Sequence, residues 1–170
     1  MKLTNTKKWR NTESTAIDIS FGSNSIKEFS YMLNSINIKD FMSVNPLTLT
    51  PATHIMDAIH EMLVRKVTGG TVLDDQGRVV GIISEIDLLD KLEQIAYYQE
   101  GDACIGDLMC SEVDVLPADI TLFEAARILI KHKRRRMPVV EDGRFVGQIS
   151  CRSILQAFKD SMLAHDKKED

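Results

Sequence analysis

The chain repeats itself. Ile38-Lys39-Asp40-Phe41-Met42 returns as Ile105-Gly106-Asp107-Leu108-Met109, and Val80-Gly81-Ile82-Ile83-Ser84 returns as Val146-Gly147-Gln148-Ile149-Ser150. Between these markers each copy passes a proline (Pro51 or Pro117), a stretch with helical patterning around Ala58 or Ala125, and a turn glycine, Gly77 or Gly143. The offset stays at 66 or 67 residues throughout. A register held over such a length marks two copies of one supersecondary unit. One copy is about fifty residues, too few to bury a good core alone. The two are therefore expected to pack together and close a common interior.

Each copy reads as β-α-β-β-α, so the fold class is α/β. Ile55, Ala58, Ile59, Met62 and Leu63 fall on one face of a helix, and Leu122, Ala125, Ala126, Leu129 and Ile130 repeat the spacing. Thr121 followed by Glu124 is a capping box at the second of these helices. Val72-Leu73, a turn at Asp74 to Gly77, and Val79 to Ile83 read as a hairpin; Met137 to Val140, a turn at Glu141 to Gly143, and Arg144 to Ile149 read as its counterpart. A closing helix follows each, from about Ser84 to Tyr98 and from about Ser150 to Ala164.

The expected organisation is an N-terminal extension over 1–37, a first repeat over 38–98, a linker over 99–104, a second repeat over 105–164 and a disordered tail over 165–170. In the extension, Ile17, Ile19 and Phe21 suggest a brief strand, and Ser25 with Glu28 suggests a capped helix through Ile36. Trp9 lies in the polar leading stretch as a docking residue or an accidentally exposed one. Tyr97 and Tyr98 end the first closing helix, where they would stack on a base or pack across a dimer seam.

Composition narrows the function. The chain has 170 residues, 44% hydrophobic and 27% charged, with a formal net charge of −4. That balance argues against a dedicated nucleic-acid binder. No apolar run is long enough to span a membrane, and Met1 to Asn5 does not lead into a secretory signal. Cys104, Cys110 and Cys151 are odd in number and lack Cys-x-x-Cys spacing, which fits small apolar residues in a reducing cytoplasm. His54, His60, His132 and His165 never fall three or four apart, so no helical metal site is expected. No Ser/His/Asp order and no phosphate-loop glycine pattern is present, so no enzyme is expected.

With Met137-Pro138-Val139-Val140 before a hairpin and Val80-Gly81-Ile82-Ile83-Ser84-Glu85-Ile86-Asp87 after one, the chain resembles the tandem CBS-domain pair, or Bateman module, from roughly Ile38 to Phe158. The resemblance implies two sheets related by a pseudo-twofold axis, a cleft on each side, and homodimerisation into a flat disc. It implies no required cofactor, with AMP, ADP or ATP as possible ligands. Gly81-x-x-Ser84-x-x-Asp87 places a hydroxyl at a helix start, where backbone amides favour an anion, and a carboxylate one turn on. In the family such a serine and aspartate take phosphate and ribose. The plainer reading is a helix cap, Ser84 with Asp87.

The family's crossing of loops would bring Arg135, Arg136 and Met137 opposite Ile82, Ser84 and Asp87, making a basic first cleft. The bland reading of the run Lys131 to Arg136 is a solvated helix end. The second cleft would pair Ser150 and Ser153 with Thr68, Gly69 and Gly70. There Ser153 stands in place of the ribose-binding acid, and Thr71 in place of the usual proline. Unequal clefts are expected, with the first occupied. With no output domain in the chain, a sensor would signal to a separate effector protein. The alternative is a dimerisation scaffold with vestigial clefts that binds no nucleotide.

Overall fold

A computed structural model of the chain describes residues 35–98 and 103–166. The expected strand and helix before Ser35, the docking role of Trp9, most of the 99–104 linker and the end of the tail lie outside the described residues, as do the side chains of Tyr97 and Tyr98.

After a single 3-10 turn at Ile38–Asp40, the first repeat runs β1 (Thr48–Leu49), α1 (Ile55–Arg65), β2 (Gly69–Leu73), β3 (Val79–Ser84) and α2 (Glu85–Tyr98). The second opens with a one-turn helix α3 (Ile105–Leu108) and continues β4 (Leu116–Pro117), α4 (Leu122–Lys131), β5 (Arg136–Glu141), β6 (Arg144–Ser150) and α5 (Cys151–Asp166). Each half carries one three-stranded sheet, ordered β1-β2-β3 or β4-β5-β6, with a parallel first pair and an antiparallel hairpin. The hairpin turns place Gly77 and Gly143 at φ 75° each, where glycine alone carries no Cβ penalty.

The duplicated motifs do not stay with the half that encodes them. Ile38 is fully buried in the core of the second half, with Leu116, Leu122, Leu129 and Ile149. Ile105 is buried in the core of the first half, with Leu47, Ile55, Met62 and Ile83. Four isolated bridges repeat this exchange: Asn37 to Thr121 and Ser43 to Gln148 on one side, His54 to Cys104 and Ile82 to Cys110 on the other. Each repeat thus lends its leading segment to the other. A fifty-residue unit completes its core only with that borrowed segment, which makes the pair the folding unit.

The helix patterns hold with one difference. Ile55, Ala58 and Met62 of α1, and Leu122, Ala125 and Leu129 of α4, are buried. The last residue of each predicted stripe is not: Leu63 is 69% and Ile130 76% exposed. A helix turns 100° per residue, so the eighth residue along drifts off the core-facing line. The cysteines depart from their expected role too. Cys110 and Cys151 are exposed, and half-buried Cys104 caps the start of α3.

At one of the core positions where the two halves differ, the sheet hydrogen bonding changes. Thr71 sits where the second repeat has Pro138. The Thr71 N–H donates to the Leu47 carbonyl at 3.0 Å. Pro138 has no such donor, and the pairing of β4 with β5 starts at Leu116 and Val139, whereas β1 already pairs Thr48 with Thr71. Thr71 gains that backbone bond, but its hydroxyl is fully buried and finds no partner among the described residues.

Candidate functional site

The site is built where β3 ends and α2 begins. The Ser84 backbone N–H and the Ser84 hydroxyl both donate to Asp87 Oδ2, at 2.8 and 2.5 Å. This is the capping geometry available to a serine followed by an acid three residues on. Among the described residues, Oδ1 of Asp87 accepts no hydrogen bond. Both residues are half-buried, at the open amide end of the helix. In the second half Ser150 and Ser153 cap α5 by themselves: their hydroxyls lie 2.9 Å apart, and the Ser153 N–H donates to Ser150 Oγ at 3.1 Å. No carboxylate stands there.

The second half reaches the first through Arg136. Its guanidinium donates to the Gly69 carbonyl at 3.2 Å and to the Thr68 hydroxyl. Gly69 is the strand partner of Ser84, and the Thr68 carbonyl accepts from the Glu85 N–H at 3.3 Å. Arg136 is in turn the strand partner of Ser150. The residues assigned to two separate clefts, Arg136 on one side and Thr68 with Gly69 on the other, therefore touch. Positions 69 and 136 occupy the same place in the two repeats, and equivalent positions meet at a pseudo-twofold axis. The constant offset of 67 was the sequence signal for that contact. Gly69 has no room for a side chain, since a Cβ would drive into the Ile83 carbonyl.

Arg136 sits between charges of both signs. Burial lowers its pKa from the usual guanidinium value, the Glu85 carboxylate opposes that shift, and the cation of Arg135 adds to it. Glu85 was missed from sequence because it reads as an ordinary first-turn acid. Arg135 is exposed, and its carbonyl accepts from the Cys151 N–H at 2.9 Å. Two other members of the basic run pair with an acid: His132 Nδ1 and Arg134 Nε lie 3.0 and 3.6 Å from Asp114 Oδ2.

Two of the expected ligand-facing residues have other partners. Met137 is 2% exposed and its side chain belongs to the second core. The Ile82 N–H and C=O are both taken by Cys110, at 3.0 and 2.9 Å, leaving only a half-buried side chain. Gly81 gives its open side to Met109 of the crossing segment. Buried Gly70 backs onto Leu47. Among the described residues no group of three or more His, Cys, Asp or Glu converges on a metal position.

The CBS domain model matches residues 38–94 and 105–160, more than half of the chain and in two copies. This chain belongs to the CBS domain family. Such a pair is a regulatory, non-catalytic module. Among solved structures, CBSX2 in complex with AMP is 32% identical at a TM-score of 0.65, covering 75% of this chain and 99% of that one. The CBS domain pair of protein MJ0100, in complex with 5'-methylthioadenosine and S-adenosyl-L-methionine, is 25% identical at a TM-score of 0.62, covering 74% and 97%. Among curated relatives, an A-adding tRNA nucleotidyltransferase of Aquifex aeolicus is 32% identical over 127 residues, 75% of this chain. The chloroplastic CBSX2 of Arabidopsis thaliana is 30% identical over 149 residues, 71% of this chain. This chain spans 15% of the former's length and 62% of the latter's. No helix among the described residues of the CBS pair is long and apolar enough to cross a membrane.

Proposed function

We propose that this CBS pair is a sensor that binds one adenine nucleotide of the AMP, ADP or ATP class at the first cleft. The observation that carries the reading is the contact of Arg136, from the second half, with Thr68 and Gly69 beside the Ser84–Asp87 helix start. A phosphate entering there meets the Ser84 hydroxyl, the amides opening α2, and the guanidinium groups of Arg135 and Arg136. Asp87 Oδ1 accepts the ribose hydroxyls while Oδ2 keeps its cap. Ser153 offers only a neutral hydroxyl, so the second cleft, with Ser150, Thr68, Gly69 and Gly70, binds weakly. The AMP complex of CBSX2 and the adenosyl ligands of MJ0100 support this ligand class.

To bind, Arg136 exchanges its contacts with Thr68 and Gly69 for a phosphate. Because those contacts tie the halves together, the exchange alters how the halves sit, and a ligand acts through its differential affinity for the two arrangements. The module works as a homodimer, signals to a separate effector protein, and resides in the cytoplasm, in keeping with three free cysteines. Calorimetric titration with AMP, ADP and ATP tests the sensor reading. Saturable heat with at least one of them is expected; flat traces with all three contradict it.

A second reading, a scaffold with vestigial clefts, is favoured by one observation. Oδ2 of Asp87 is already engaged by Ser84, the Ile82 backbone by Cys110, and the Met137 side chain by the second core. Mass spectrometry of small molecules released from the purified protein separates the two, since a scaffold releases no nucleotide.

A further inference from the structure

The first turn of α2 carries acids that its counterpart lacks. At the offset of 66, Glu85 and Asp87 correspond to Cys151 and Ser153, so both carboxylates of this turn belong to the first half alone. Asp87 is engaged as the cap of Ser84. Glu85 is exposed, at the edge of the groove between α1 and α2, and its carboxylate makes no ion pair among the described residues. Its backbone is fixed, since its N–H donates to the Thr68 carbonyl at 3.3 Å.

Arg136 holds the same threonine from the other half. Its guanidinium donates only to neutral acceptors, the Thr68 hydroxyl and the Gly69 carbonyl, and pairs with no carboxylate among the described residues. The charges that act on it are those of Glu85 and Arg135. Lys66, Lys133 and Arg152, exposed in the flanking segments, are not among them. Two cations, Arg135 and Arg136, thus face two anions, Glu85 and Asp87, and the four charges cancel. Donors are few as well: the Ser84 N–H and hydroxyl are given to Asp87, and the Glu85 N–H to Thr68. Each phosphate added to a ligand brings negative charge to a place with no net positive charge and one uncompensated carboxylate.

We propose that Glu85 sets the phosphate count of the ligand: its charge holds the first cleft to a nucleoside monophosphate and selects against the di- and triphosphate. The inference rests on the nucleotide reading above and adds the choice within that class. One phosphate is served by Arg136 when it releases Thr68 and Gly69, with Arg135 beside it. Further phosphates find no further cation and meet the Glu85 carboxylate. A like charge standing beyond ion-pair distance at a protein surface weakens binding by about three- to tenfold, and salt screens the effect. Glu85 also suits the positive end of the α2 dipole, a role that is blind to the charge of a ligand.

The test is calorimetric titration of the full chain, as wild type, Glu85→Gln and Glu85→Asp, with AMP, ADP and ATP. EDTA is present so that no divalent cation masks the phosphates. Wild type is expected to bind AMP more tightly than ADP, and ADP more tightly than ATP. Glu85→Gln should tighten ATP binding by about three- to tenfold and AMP binding by less than about threefold. Salt at about 0.5 M should shrink that difference. Glu85→Asp keeps the charge and should keep the wild-type order. If Glu85→Gln moves all three nucleotides by one factor, Glu85 serves only the helix start and the proposal is overturned. A wild type that prefers ATP overturns it too. In both cases nucleotide binding itself stands. Flat traces with every nucleotide, in wild type and Glu85→Gln alike, overturn the sensor reading and this proposal together.

Discussion

Replacing Thr71 by valine should make the protein more stable. Thr71 is wholly buried in the central strand of the first sheet, and its Oγ1 has no partner among the described residues. An unsatisfied hydroxyl in such a place costs about 1–3 kcal/mol. Valine keeps the branched shape, suits a strand, and leaves the N–H bond to the Leu47 carbonyl intact. The net gain should be about 1–2 kcal/mol, because the slightly larger methyl group takes back part of it. In a chain of this length each kcal/mol moves Tm by about 2–4 °C, so Tm should rise by about 2–8 °C. Urea unfolding at equal m-value, alongside a thermal scan, measures it. A Thr71→Val protein less stable than wild type by about 1 kcal/mol would mean that the hydroxyl is bonded after all, to a buried water for instance, and the reasoning would fail.

Asp87→Ala should cost about 1 kcal/mol of stability through loss of the α2 cap, read as a small fall in Tm without ligand. Arg136→Lys should weaken nucleotide binding by about tenfold or more, because an ammonium cannot reproduce the guanidinium fork; calorimetry checks this. Gly147→Ala should destabilise by about 1–3 kcal/mol, since its Cβ would lie 2.7 Å from the Ser43 carbonyl, whereas Gly81→Ala meets only the flexible Met109 side chain and should cost less. The Thr121 backbone N–H, then its hydroxyl, hold the Glu124 carboxylate below the usual range. A depressed folded pKa gives stability that is present above the unfolded carboxylate pKa and lost as pH falls through the folded one. An NMR titration should place the Glu124 midpoint below that of free glutamate, and Thr121→Ala should raise it.

What was legible in the sequence was whatever depends on periodicity. The hairpins and the four long helices follow from local spacing, which the duplication shows twice, and the Thr121–Glu124 box from the second copy alone. The exchange of leading segments was not legible, because Ile38 and Ile105 look alike whichever core they fill, and only three dimensions decide between them. At the site, the Ser84–Asp87 cap was readable from local spacing, whereas the approach of Arg136 to the first half was expected only from the family resemblance. The other partners of Ile82 and Met137 were not legible, because a strand residue next to a cleft also has sheet partners and a core to serve: Cys110 takes the backbone of one, and the second core takes the side chain of the other. Leu63 and Ile130 carry the helical period yet stay exposed, which a stripe read along one helix does not reveal.

The central claim is that Asp87 and the Arg136 side of the second half form one nucleotide site. Titrating AMP into wild type and Asp87→Ala in parallel, with circular dichroism to confirm that both are folded, tests it most directly. The account predicts one AMP per wild-type chain and an affinity at least about tenfold weaker in the folded variant. Equal affinities in the two proteins would leave Ser84 and Asp87 as a helix cap and nothing more.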